Sequence, residues 1–410
     1  MTFALARRLA PLGALLAFAG CSLINGFDEV AGFSADNIGG FAGASSGSGG
    51  GTGGQGGAPV VEVDPGLVVV GGQEDGAAVL LSLSPQTGEE LARLTGNYGA
   101  AVHEAERDLW FLIQGDEVRA ARFDRRRGEW AYESEAAQVV PPLDPVHVFA
   151  LNGNLAVLGD GGELSVFDTK DLSDISLKGT AQYPDGLWGA VGAPSSAGGE
   201  VHVLSLDCPG EPEKCVVELR RIQVDGDGVQ EFAPVKLVEA PVTSPGASQG
   251  SIGFDPGANL VVAVVPDFED EFGQSAIYLT TRTHQVQETL SLRQRSAQPR
   301  VAAVDPCQSV LYVMVPQAQP MVAGALDDDA DRMEMTKAVS VNGQGMTFEP
   351  YTRSLLLQQQ SGDNYTVDAW SIVGTQLAPD IRKRLNNWAP PRIRPAFVSV
   401  AVPPRGVFCP

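Results

Sequence analysis

Three sets of residues in this sequence are of types that do chemistry: four histidines, a run of aspartates and five cysteines. His103 and His147 stand at matching places in two consecutive strand units, so they are the pair that could share general-base or metal-binding work. A zinc centre needs three or four converging ligands, and His202 and His284 are far off in the chain. Asp327, Asp329 and Asp331 alternate through Asp327-Asp328-Asp329-Ala330-Asp331. Alternating carboxylates are the pattern of oxygen-ligand loops, and Ca2+ is the ion they would hold; no other cofactor is expected. The EF-hand pattern stops there, because Arg332 stands where its glycine is needed and Ala338 where the closing glutamate belongs. Asp267 to Glu271 is a second acidic loop, and Asp225-Gly226-Asp227-Gly228 reads as a tight hairpin turn. Gly246-Ala247-Ser248-Gln249-Gly250 has the spacing of a nucleophile elbow, but it precedes a strand, whereas an elbow has its strand before and its helix after.

One charge asymmetry is sharper. After Asp380 the chain carries no acidic residue, yet Arg382, Lys383, Arg384, Arg392, Arg394 and Arg405 all fall there. Elsewhere acid dominates, with 50 Asp and Glu against 28 Lys and Arg over the whole chain and a net charge of −22. Such a balance argues against nucleic acid as a partner, since phosphate contacts need clustered basic residues. The basic stretch could meet an anionic lipid, a polysaccharide or an acidic protein partner; alternatively it neutralises acidic loops of its own domain.

The first 20 residues read as an export signal. Arg7 and Arg8 give it a positive start, and Leu9 to Ala19 is an apolar run too short to span a bilayer. It ends in Phe18-Ala19-Gly20-Cys21, which resembles the lipobox of bacterial lipoproteins, with Phe18 where the family favours leucine. The resemblance implies that Cys21 is acylated and becomes the first mature residue. Ser22, rather than aspartate, follows it; by the same resemblance the protein would pass to the outer membrane, facing the periplasm or the cell surface. Residues 21–62 then read as the lipidated cysteine and a flexible tether: from Gly39 to Gly57, eleven of nineteen residues are glycine.

If Cys21 carries lipid, four cysteines remain, and in an oxidising compartment they suggest two disulfides. Cys208 and Cys215 flank a turn-rich Pro-Gly-Glu-Pro-Glu-Lys loop and should bridge locally. That leaves Cys307 with Cys409, a bridge that would pin the C-terminus. No CxxC spacing supports a metal instead.

The elements that must position all of this are short strands. Residues 63–410 show almost no helical periodicity; apolar runs recur every 8–15 residues between Gly, Pro, Asp and Asn, a pattern read directly from the sequence. An acidic residue and proline mark turns at Phe254-Asp255-Pro256, Val304-Asp305-Pro306 and Phe348-Glu349-Pro350. After these come strong second strands at Leu260 to Val265, Val310 to Val315 and Leu355 to Gln360. Weaker copies lie at Leu67 to Gly71, Leu109 to Gln114, Leu155 to Gly159 and Val201 to Leu206, while Glu163 to Asp168 and Ala276 to Thr281 read as third strands. The period is that of propeller blades. Seven second strands follow only six first strands, and Ala396 to Val402 is a spare strand at the other end of the chain. The expectation is an all-β, seven-bladed propeller in which that strand completes the first blade and removes the open edge.

Val301-Ala302-Ala303-Val304-Asp305-Pro306 followed by Val310-Leu311-Tyr312-Val313 resembles a YVTN-type β-propeller repeat, and Ile252-Gly253-Phe254-Asp255-Pro256 with Asn259-Leu260-Val261-Val262 is a looser copy. The resemblance implies a fold and an extracytoplasmic setting, and no reaction. It would put His103 and His147 near strands that line a central channel. The functional expectation is a lipid-anchored, non-enzymatic binding or assembly scaffold with a protein partner. The alternative is a propeller enzyme, a lyase or quinone-dependent oxidoreductase, with its site at a channel mouth.

Overall fold

In a computed structural model the protein is described over residues 66–403, apart from 139–144, 160, 184–185, 196–197, 209–214, 227, 241–249, 267–274, 293–300, 315–320, 327–336, 340–344, 362–363, 376–377 and 385–387. All regular elements among the described residues are strands. They pair, antiparallel throughout, into seven sheets of four or five strands in a propeller arrangement. Around the ring, starting from the sheet that holds Val68–Glu74, the innermost strands are Arg394–Val400, Tyr98–Glu104, Pro145–Ala150, Leu187–Ser195, Ser251–Asp255, Val301–Asp305 and Gly345–Glu349. Each innermost strand touches the innermost strands of the two sheets beside it, and the last touches the first. The sheets are numbered one to seven in that order below.

Burial falls from the centre outward, and the sequence follows it. The innermost strands Ser251–Asp255, Val301–Asp305 and Gly345–Glu349 are buried at every residue. The second strands Asn154–Gly159 and Val310–Met314 are likewise buried throughout, and Leu109–Gln114 is so except at Gln114, which is why they read as nearly continuous apolar runs. The outermost strand Glu90–Thr95 alternates between half-buried and exposed.

Side chains alternate across each sheet, so every strand feeds two neighbours. Val68 and Val70 pack toward sheet seven, against Leu356 and Ala369, whereas Leu67 and Val69 pack toward sheet two, against Trp110 and Leu112. Phe111 and Ile113 point the other way, onto Val148 and Leu155 of sheet three. Repeated around the ring, this gives seven apolar clusters among the described residues, one in each seam between adjacent sheets.

The spare C-terminal strand sits where the strand count requires. Arg394–Val400 pairs antiparallel with Val68–Glu74, placing Val400 opposite Val68 and Val398 opposite Val70 across more than 300 residues of chain. A bulge at Gly71 and Gly72 lets the strand cross closely. A Cβ on Gly72 would lie 2.1 Å from the Arg394 carbonyl oxygen, and one on Gly71 would lie 2.1 Å from the Phe397 ring.

Cys208 and Cys215 form a disulfide with a Cα–Cα distance of 4.2 Å. It closes the hairpin between the two long strands of sheet four, Gly198–Asp207 and Cys215–Asp225. Cys307 is disulfide-bonded as well; Cys409, its expected partner, lies outside the described residues, as do Cys21 and the tether. Replacing both Cys208 and Cys215 with serine is expected to lower stability by roughly 2.5 kcal/mol, the loop-closure entropy of so short a loop. The shift of the urea midpoint under non-reducing conditions measures it, and an unchanged midpoint would contradict it.

Candidate functional site

Polar chemistry in this molecule gathers where each innermost strand turns into the second. At sheets five, six and seven the last residue of the innermost strand is Asp255, Asp305 or Glu349, each fully buried. Each carboxylate accepts backbone N–H groups of its own turn: Gly257 and Ala258 at 2.9 and 3.2 Å, Cys307 at 2.9 Å, and Tyr351 and Thr352 at 2.9 and 2.8 Å. Proline next in line lacks an N–H and fixes the entry to the turn. Four residues after the acid the backbone is left-handed, at Asn259, Ser309 and Arg353 (φ 54°, 48° and 48°). Sheet two repeats the device without proline: Glu104 ends the strand and Asp108 has φ 49°. Burial pushes all three carboxyls of Asp255, Asp305 and Glu349 above the usual range, despite these hydrogen bonds.

These side chains also reach across to the next sheet. Arg353 of sheet seven donates to Asp305 of sheet six at 3.0 Å. The Ser309 hydroxyl of sheet six donates to Asp255 of sheet five. Glu104 of sheet two accepts from Gly153 N–H of sheet three at 2.9 Å, and Arg107 beside it donates to the Thr169 carbonyl at 2.6 Å. Asn152 of sheet three donates to the Ser195 carbonyl of sheet four at 2.9 Å. Arg384 of sheet seven donates to the Pro85 carbonyl of sheet one at 3.0 Å. Between sheets one and two, Val402 N–H donates to His103 Nδ1 at 3.0 Å, while His103 Nε2 lies 3.1 Å from Asp108.

The remaining seam, four to five, carries the densest group. His202 Nδ1 and His284 Nε2 are 2.8 Å apart, both rings buried. Glu200, two residues before His202, bonds Arg282 of sheet five at 2.7 Å and Arg221 of its own sheet at 3.1 Å. Its carboxylate is 3.5 Å from His202 Nε2. Burial pushes the Glu200 carboxyl up, but His202 and Arg282 outweigh it and hold it down at about 2. Burial depresses both imidazoles, His284 to about 3. His284 sits at φ 61°, a left-handed conformation costly for a side chain of this size.

The sequence-predicted residues are dispersed. His103 is a seam contact. His147 is buried in sheet three, stacked on Phe149 with 6.1 Å between ring centroids and depressed to about 4 by burial. Among the described residues no three His, Cys, Asp or Glu side chains are arranged to hold a metal ion; Asp327, Asp329 and Asp331, and the acidic loop at Asp267, lie outside them. Asp225 pairs directly with Gly228 in the expected hairpin. In the basic stretch, Lys383 pairs with Asp368, and Arg394 lies over the Tyr365 ring at 5.1 Å. Arg384 turns inward to Ser371, Pro85 and Thr352, whereas Arg382 and Arg392 are exposed. Sequence reasoning missed Glu104, Glu200, Arg221, Arg282 and Arg353. Glu104-Ala105-Glu106-Arg107-Asp108 could have been found, since it spaces an acid and a left-handed residue as the Asp-Pro turns do.

No family model matches the chain, and no curated protein does. Solved structures do. The putative 6-phosphogluconolactonase of Bacteroides fragilis superposes with a TM-score of 0.58 at 12% identity, covering 83% of this chain and 99% of that one. The periplasmic gluconolactonase of Pseudomonas aeruginosa gives 0.54 at 14% identity, covering 83% and 99%. A functionally unknown protein of Desulfotomaculum acetoxidans gives 0.53 at 10%, covering 82% and 99%. At these identities the likeness shows the propeller fold and nothing more.

Proposed function

We propose that this chain is a lipid-anchored, seven-bladed propeller that acts as a rigid binding or assembly scaffold at the outer membrane. The observation that carries the reading is the ring of seam contacts. Among the described residues, His103, His202, His284, Arg282, Arg353, Glu104, Asp255 and Asp305 are engaged in joining one sheet to the next. A platform has use for that, because its partner must meet an unchanging surface. Counting each of the seven sheets as one blade accords with the seven apolar clusters. Exposed Arg382, Lys383, Arg392 and Arg394 are the proposed partner contacts, and acidic protein is the chemistry they suit. Affinity purification from cross-linked membranes should recover one stoichiometric partner, and charge reversal at Arg392 and Arg394 should lose it. Failure to recover any partner, or recovery unaffected by the reversal, would count against the scaffold.

Anchoring has its own test. Cys21→Ala is expected to move the protein from the membrane to the soluble fraction and to abolish metabolic lipid labelling. A variant still membrane-bound and labelled would overturn the lipoprotein assignment.

The enzyme alternative remains a lyase or quinone-dependent oxidoreductase with its site at a channel mouth, and two of the similar structures, a putative 6-phosphogluconolactonase and a gluconolactonase, add lactone hydrolysis to it. Purified protein incubated with glucono-1,5-lactone decides it for that reaction class. Hydrolysis well above the spontaneous rate would replace the scaffold reading.

A further inference from the structure

We propose that the seam between sheets four and five is an acid-operated latch: proton uptake by the His202–His284 pair breaks the bond between the two rings and parts these sheets before the rest of the ring opens. A hydrogen bond between imidazoles uses one N–H and one lone pair. At 2.8 Å between His202 Nδ1 and His284 Nε2, the pair holds together while one of these two nitrogens is bare. Protonating both rings sets two N–H groups against each other.

The surroundings make that state worse. The charged groups facing the pair are Glu200 from the second strand of sheet four, Arg221 from its third strand, and Arg282 from the turn of sheet five; the Leu219 carbonyl accepts from His284. Glu200 is the one carboxylate among them, and both guanidiniums already hold it. Two neutral rings leave the group at +1, and two imidazoliums raise it to +3 inside the protein, with no further carboxylate facing the rings among the described residues. The turn bearing His284 is also held in a left-handed conformation, so release relieves it.

Among the described residues the other seams hold no second pair of facing imidazoles. Acid neutralises Asp255, Asp305 and Glu349, which removes buried negative charge, and at Asp305 it also leaves Arg353 without its partner. His103, between sheets one and two, has the carboxylate of Asp108 at its second nitrogen. The four–five seam is the one among the described residues where falling pH sets two positive rings against each other between sheets.

Hydrogen–deuterium exchange of the full chain at pH 7.5 and 5.0, corrected for intrinsic exchange, tests this. If the rings titrate near 6.5 once open, the opening equilibrium rises about 30-fold when one proton is taken up and about 1000-fold when both are. The gain should appear in Gly198–Asp207 and Ser275–Thr281, while Val301–Asp305 and Val310–Met314 keep their protection. His284→Asn tolerates the left-handed backbone and still offers a donor, but cannot titrate. It should cut the acid response of this seam to that of its neighbours. Uniform loss of protection at pH 5.0, loss appearing first in sheet three around His147, or an unaltered response in His284→Asn overturns the latch. Should that variant fail to fold, the wild-type exchange map alone still decides.

Discussion

Deleting residues 394–410 is expected to abolish cooperative folding of the whole domain. The segment contains the innermost strand of sheet one, so its loss strips Val68–Glu74 of one hydrogen-bonded neighbour along its length. Val398 and Val400 are buried against sheet seven, each contributing about 1.5–3 kcal/mol. Ala401 packs into the adjoining cluster with Trp110, and Val402 holds His103. Two seams therefore open together, and an edge of unpaired backbone is left between them. Domains of ordinary stability have about 5–15 kcal/mol in hand, and the two valines alone remove about 3–6 kcal/mol of it before the lost strand pairing is counted. Circular dichroism and size-exclusion chromatography should show an unfolded or aggregated product. Cys409→Ser is the control for losing a cysteine with the strand, and should cost less. Gly72→Val attacks the same pairing with one residue, since its Cβ would meet the Arg394 carbonyl. A truncated protein that unfolds cooperatively at the wild-type midpoint would contradict the role given to this strand.

Arg353→Ala should destabilise the protein by about 3–5 kcal/mol at pH 7.5, because it leaves the fully buried Asp305 carboxylate without its cation. Replacing Asp305 with asparagine in the same chain should recover most of the loss. The deficit should also depend on pH with a definite sign. Burial already raises the Asp305 pKa in the folded protein, and removing Arg353 raises it further. A group whose folded pKa lies above its unfolded value favours folding at low pH, and that contribution is lost as pH rises through the folded pKa. The variant should therefore recover part of its deficit between pH 7.5 and pH 5. Urea midpoints at the two pH values measure both effects. A loss under 1 kcal/mol, or a deficit that grows on acidification, would show the pair to be dispensable.

What was legible in the sequence follows burial. Leu109–Gln114 has the predicted bounds, and Asn154–Gly159 differs by one residue, because strands covered on both faces must be apolar throughout. Outermost strands left no such trace. Ser176–Gln182 reads Ser-Leu-Lys-Gly-Thr-Ala-Gln and is half open to solvent, so nothing in its composition marks it as a strand. The Asp-Pro turns were legible as turns, but not as inter-sheet contacts. Arg353 lies 48 residues from Asp305, and His284 lies 82 from His202, separations that only the ring's curvature brings together. The basic stretch is divided by the chain's alternation, which its contiguity does not show: Lys383 meets Asp368 while Arg384 turns inward.

The position of Val68–Glu74 in its sheet has a mechanical consequence. It is not an edge strand: Ala77–Leu83 is hydrogen-bonded along one side and Arg394–Val400 along the other. Tension applied through the N-terminal end of the chain enters the domain at this strand. A pull along its axis loads both ladders in shear, and they must rupture together. An edge strand under the same load would peel away one bond at a time, at far lower force.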